Sequence, residues 1–255
     1  MSKNRRDPWL TIFEPSPQAR LRLFCFPFAG GGTVAFRDWS KGLPKEVEVC
    51  SVQLPGRGIR HREPCFTRLP PMVEATAQAL LPYFDRPFAF FGHSLGALVA
   101  FELARHLRRQ GVHQPIHLFA SGRRAPQVPG RHTPRYNLPE PELIEMLRNF
   151  EGTPPEILAQ PEIMALLLPT FRADFEAHET YSYTDEPPLG CPISAYGGTD
   201  DSEVSLEQLQ AWQEQTSAAF SLQLFHGGHF FVNSQQWLVL RSLRNELQQL
   251  LGRVG

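Results

Sequence analysis

Hydrophobic positions along the chain fall into short unbroken runs separated by polar stretches. The runs cover residues 21–28, 47–54, 88–91, 116–120, 192–196 and 221–225. They are short and lack strict alternation, which is the pattern of strands covered on both faces, as in a parallel sheet. Residues 72–84 and 95–109 show helical spacing instead. In the second, Leu98, Phe101, Leu103, Ala104 and Leu107 make an apolar face, with Arg105, Arg108 and Arg109 expected outside. Strands alternating with helices predict an α/β fold, a mostly parallel central sheet flanked by helices.

One stretch breaks the alternation. Residues 123–183 contain no expected strand. Residues 123–141 are rich in Pro, Arg and His and read as loop. Residues 141–150 and 155–181 read as helical, the latter interrupted near Pro161 and Pro169. A helical insertion between two core strands is a natural lid. The length of 255 residues suits one domain over 1–255, with 123–183 as an insertion within it.

Composition removes several classes of function. A formal net charge of −1 points to neither nucleic acid nor a membrane surface as partner. Lysine occurs only as Lys3, Lys41 and Lys45, so a phosphate-binding loop ending in Gly-Lys-Ser/Thr is absent, as is a Ser-x-x-Lys nucleophile pair. The cysteines Cys25, Cys50, Cys65 and Cys191 form no Cys-x-x-Cys pair, and no metal site is expected. Residues 1–9 lack the apolar core of a signal peptide, and no run of about 18 apolar residues occurs. A cytoplasmic protein with reduced thiols is the expectation.

The sharpest chemical signal is Gly92-His93-Ser94-Leu95-Gly96. This G-x-S-x-G follows an expected strand and opens an expected helix, the context of a nucleophile turn in the α/β-hydrolase fold. A serine hydroxyl is a poor nucleophile without a base that is itself oriented by an acid. In this fold the acid and then the histidine follow the serine along the chain. Gly197-Gly198-Thr199-Asp200-Asp201 offers two acids on a loop after one strand, and Gly227-Gly228-His229-Phe230 offers His229 after the next. His226 lies nearer the strand and reads as structural. An oxyanion hole needs the N–H of Leu95 and a second donor from a loop after an early strand, here within residues 26–32. A dinucleotide loop there is excluded, because G-x-G-x-x-G is not matched.

These residues resemble the type II thioesterases, the stand-alone editing enzymes of non-ribosomal peptide and polyketide synthases. The resemblance is carried by Phe26-Pro27-Phe28-Ala29-Gly30-Gly31, Leu54-Pro55-Gly56-Arg57, Phe91-Gly92-His93-Ser94-Leu95-Gly96, Leu168-Pro169-Thr170-Phe171-Arg172-Ala173-Asp174 and Gly227-Gly228-His229-Phe230. It implies Ser94 as nucleophile, His229 as base, and oxyanion donors at Ala29 and Leu95. It also implies Asp201 as the acid, through a Gly-x-x-Asp spacing, with Asp200 the substitute if the loop is shifted by one. The implied activity is hydrolysis of acyl groups from the phosphopantetheine arm of carrier protein domains, with no cofactor of the enzyme's own. A monomer is expected. Phe28, Met146, Met164, Phe171 and Phe230 are expected to bind substrate; the lid residues Met146, Met164, Leu166 to Leu168 and Phe171 could line an acyl channel or equally fill the lid's own core.

Three other readings stand beside this one. Medium-chain acyl thioesterases of fatty acid synthesis look similar, a carboxylesterase or lipase would use the same triad, and a non-catalytic binding protein could share the fold. Arg123, Arg124, Arg131 and Arg135 form a candidate basic patch for an acidic carrier protein, or else a solvated loop.

Overall fold

The computed structural model describes residues 7–130, 133–150 and 152–253. Its strands are β1 (Leu10–Thr11), β2 (Leu21–Phe26), β3 (Val47–Val52), β4 (Phe88–His93), β5 (Leu118–Ser121), β6 (Ile193–Gly198) and β7 (Phe220–Phe225). Its helices are α1 (Leu69–Leu80), α2 (Leu95–Arg109), α3 (Glu140–Asn149), α4 (Pro155–Leu158), α5 (Pro161–Glu179), α6 (Leu206–Gln210), α7 (Phe231–Ser234) and α8 (Gln236–Leu251).

All seven strands join one sheet in the order β1-β3-β2-β4-β5-β6-β7. Only the two-residue β1 is antiparallel. The six expected strands are present, and β1 and α8 are additional. Successive residues of β2 feed opposite layers. Phe24 and Phe26 pack in one core with α1 and α2, whereas Leu21, Leu23 and Cys25 pack in the other with α8. Val239, Leu240, Leu243, Leu247 and Leu250 line the inner side of α8 at helical spacing. This is the mostly parallel, doubly covered sheet of the α/β-hydrolase fold.

The order of strands positions the site. After β2 the chain turns one way to β3, then crosses back to β4 on the other side of β2. In an open parallel sheet such a reversal leaves a crevice at the carboxyl ends of the strands, where ligands bind. Here the register pairs Phe26 with Gly92, so the loop after β2 and Ser94 after β4 flank that crevice together.

Residues 123–183 hold α3, α4 and α5 between β5 and β6, with an apolar core of their own that includes Leu143, Leu147, Leu158, Met164 and Leu168. A break before Pro161 is observed, but Pro169 does not interrupt α5. Pro169 and Ala165 both face solvent, so water can satisfy the carbonyl that the missing N–H leaves open. Arg105 also departs from expectation. It is buried against Glu102 at 2.7 Å and Glu186 at 2.9 Å, tying α2 to the segment after the lid. Among the described residues no helix is long and apolar enough to cross a membrane.

Candidate active site

Ser94 is the only non-glycine residue with positive φ among the described residues, at φ 54° and ψ −113°. Its side chain is thereby lifted out of the line of β4, at the start of α2. The turn closes because its neighbours have no Cβ. A methyl group on Gly92 would collide with the Gly96 carbonyl, and one on Gly96 with the Phe26 carbonyl. The Ser94 N–H donates to Ser121 O at 2.8 Å, fixing the turn against β5. His93 beside it is wholly buried, with Nδ1 2.9 Å from Ser121 Oγ. Burial, and then the nearby His229, hold its pKa well below the usual imidazole value, so it stays neutral.

Asp201 and His229 arrive on the loops after β6 and β7. His229 Nε2 lies 3.1 Å from Ser94 Oγ, and His229 Nδ1 lies 2.9 Å from Asp201 Oδ2. Asp201 accepts the Nδ1–H, which leaves Nε2 as acceptor for the serine hydroxyl. The Asp201 side chain is 1% exposed, and its Oδ1 takes the Glu203 N–H at 2.8 Å. The loops of Asp201 and His229 extend the β6–β7 pairing, with Thr199 N–H on Phe225 O and Asp200 N–H on Gly227 O. Gly198 permits this approach, since a Cβ there would strike the Gly227 and Gly228 carbonyls. Asp200 and His226 pair with each other at 3.4 Å on the surface, with side chains 62% and 85% exposed. Neither joins the chain of hydrogen bonds to Ser94.

The loop after β2 brings Ala29 to the cavity in which Ser94 and His229 sit. Leu95 is the first residue of α2, and its N–H is one of the unpaired donors of a helix start. The loop with Ala29 is held from the helical insertion. Asp174 on α5 accepts the Gly30 N–H at 2.7 Å and binds Arg57 through both carboxylate oxygens at 2.7 Å, while Arg57 also donates to Gly31 O at 3.2 Å. Three of the segments that carry the family resemblance thus meet at one buried ion pair, to which the sequence alone assigned no role. Asp174→Ala leaves Arg57 buried without its counter-ion, and a loss of about 3–5 kcal/mol is expected. That corresponds to a fall in Tm on the order of 10 °C for a chain this size, read by thermal denaturation. An unchanged Tm would show that the pair is not a structural tie.

A cavity of about 290 Å³ opens beside the triad. Phe28, Phe171 and Phe230 line it, and the rings of Phe28 and Phe230 meet edge to face at 4.8 Å. Met146 and Met164 do not. Met164 is buried in the lid core and Met146 packs against that core. The arginine patch also turns out differently. Arg123 is 6% exposed, Arg124 is half-buried, and Arg135 is bound to Glu203 at 2.7 Å. All three line the cavity instead of presenting an outer surface. Arg131 lies outside the described residues. Among those described, no group of three or more His, Cys, Asp or Glu side chains is arranged to hold a metal ion.

Residues 21–247 match the family described as thioesterase domain. The gramicidin S biosynthesis protein GrsT of Aneurinibacillus migulanus is 44% identical over 245 residues, covering 96% of each chain. The medium-chain S-acyl fatty acid synthase thioesterase of Rattus norvegicus is 31% identical over 234 residues, covering 89% of this chain and 88% of that one. Among solved structures, the type II thioesterase BorB from the borrelidin biosynthetic cluster superposes with a TM-score of 0.88 at 33% identity. It covers 96% of this chain and all of its own.

Proposed function

The chain belongs to the thioesterase domain family, and from that premise we propose that it clears acyl groups from the phosphopantetheine arms of carrier proteins in a peptide or polyketide synthase. The relatives named for gramicidin S and borrelidin biosynthesis support this reading. The medium-chain fatty acyl reading is weaker, because the relative of that kind is less similar.

The observation that carries the chemistry is the unbroken chain Asp201–His229–Ser94, opening on a cavity walled by the lid. The Ser94 hydroxyl attacks the thioester carbonyl while His229 Nε2 takes its proton. The oxyanion meets the N–H groups of Leu95 and Ala29. Collapse breaks the C–S bond, and the imidazolium returns the proton to the departing thiolate. Water then attacks the acyl-enzyme, its proton passing to His229 and on to Ser94 Oγ as the carboxylic acid leaves. The pantetheine arm enters as substrate, so the enzyme needs no cofactor of its own.

The experiment compares an acyl-carrier protein thioester with short aryl esters. A kcat/KM markedly higher on the carrier thioester is expected, because the protein surface around the thiol adds binding that aryl esters lack. Faster turnover of aryl esters, with little on the carrier, would make it an esterase. Failure of a fluorophosphonate to label Ser94 would make it a non-catalytic binder.

A further inference from the structure

The cavity beside the triad is not uniformly apolar. Phenylalanines wall it near Ser94, but Arg123, Arg124 and Arg135 line it as well, facing two carboxylates, Glu179 and Glu203. Arg135 is satisfied by Glu203 and lies over the Phe150 ring at 4.9 Å. Glu179 is held by the backbone N–H groups of Arg135 and Tyr136 at 2.8 and 3.2 Å. Arg124 Nε donates to Val128 O at 3.1 Å.

Arg123 is different. It lies two residues after β5, its carbonyl accepting from the Trp212 indole N–H at 2.7 Å. Its side chain is buried, its Nε has no hydrogen-bond partner, and no carboxylate forms an ion pair with it among the described residues. Burial, and then Arg124, push its pKa down to about 9 against the opposing pull of Tyr181 and Glu179, which leaves it cationic at neutral pH. His178, also in the wall, is held neutral by its burial and by these arginines. A buried guanidinium that no carboxylate touches directly is costly, and a ligand carboxylate matches its fork of donors.

We propose that the cavity takes acyl groups ending in a carboxylate, which pairs with the guanidinium of Arg123 while the thioester carbonyl lies at Ser94. This rests on the thioesterase reading and names the substrate class of the same site. Carboxyacyl thioesters, the half-thioesters of dicarboxylic acids, are the class concerned. The phosphate of the pantetheine arm is the other anion that could reach an arginine, so the test separates the two.

Glutaryl and pentanoyl thioesters have equal chain length and differ in the terminal carboxylate. Each is offered on N-acetylcysteamine, which has no phosphate, and on phosphopantetheine. The intact protein is expected to favour glutaryl on both carriers. In Arg123→Gln the ratio of glutaryl to pentanoyl kcat/KM is expected to fall about 10- to 100-fold, the scale of a lost hydrogen bond to a charged group. Equal losses on both acyl chains, or an unchanged ratio, overturn the proposal. A loss confined to phosphopantetheine substrates, whatever the acyl chain, overturns it in favour of the phosphate. If Arg123→Gln does not fold, the intact protein decides, and a preference for pentanoyl overturns the proposal.

A second measurement is independent of turnover. Calorimetric titration of Ser94→Ala protein is expected to show glutarate binding more tightly than pentanoate, with the difference lost when Arg123→Gln is added. Equal binding of the two acids overturns the carboxylate site. An intact protein that hydrolyses none of the thioesters but discriminates glutarate would overturn the thioesterase reading and leave the site standing.

Discussion

Ser94→Ala is expected to lower thioester hydrolysis by about a million-fold, the scale seen when the nucleophile of a serine triad is removed. Without the hydroxyl no acyl-enzyme forms, and water alone must attack the thioester. What remains is the acceleration from bound donors, about a thousand- to ten-thousand-fold over water. The fold should be intact. Ser94 Oγ has His229 Nε2 as its bonded partner, and the bond that fixes the turn, from Ser94 N–H to Ser121 O, belongs to the backbone. Thiol release from an acyl-carrier protein and the thermal midpoint check the two halves. Near-normal release by a folded variant would sink the acyl-enzyme mechanism.

Asp201→Asn is expected to reduce kcat by about ten-thousand-fold, with Asp200→Asn far milder. The Asp201 carboxylate accepts His229 Nδ1–H at 2.9 Å from a position almost closed to solvent. An amide there can present its NH₂ to Nδ1, which moves the ring proton to Nε2, facing the serine it should deprotonate. It also removes the charge that stabilises the imidazolium. Asp200 is exposed and reaches His226 instead, so its charge is screened and its loss touches no reacting group. Steady-state kinetics of the two single variants separate them, and the reverse ranking would place the acid one residue earlier.

Local signals were the most legible in the sequence. The turn at Ser94 needs only a strand, two glycines and a helix, all within a few residues, and these can be read from spacing. The loops of Asp201 and His229 were visible as Gly-rich strand ends, although the choice of Asp201 over Asp200 came from family resemblance. Sheet order left no mark in the pattern, since a buried strand looks the same in the middle of the sheet or beside a crevice. Side-chain direction was equally hidden. Met164 and Phe171 share one helix and one apolar core, and only the packing there brings the second to the cavity wall as well. Arg105 and Arg123 carry charge that usually faces outward, yet both are buried. The spacing within α8 could have revealed that helix, since its inner aliphatic residues recur at helical intervals.

The ties on α5 have a mechanical consequence. Thr170 Oγ1 donates to Gly56 O at 2.8 Å, and Asp174 grips Arg57 and Gly30 one turn later. The helix is therefore tied to the body of the enzyme over its second half, while residues 161–169 are held chiefly by apolar packing with α3 and α4. A tilt that admits a bulky arm would therefore turn about Thr170, where the polar ties begin, and shear the apolar contacts of the end that bears α3 and α4. The strut that braces Ala29 stands on the fixed side of that pivot. An aperture can thus widen without loosening the loop that carries Ala29.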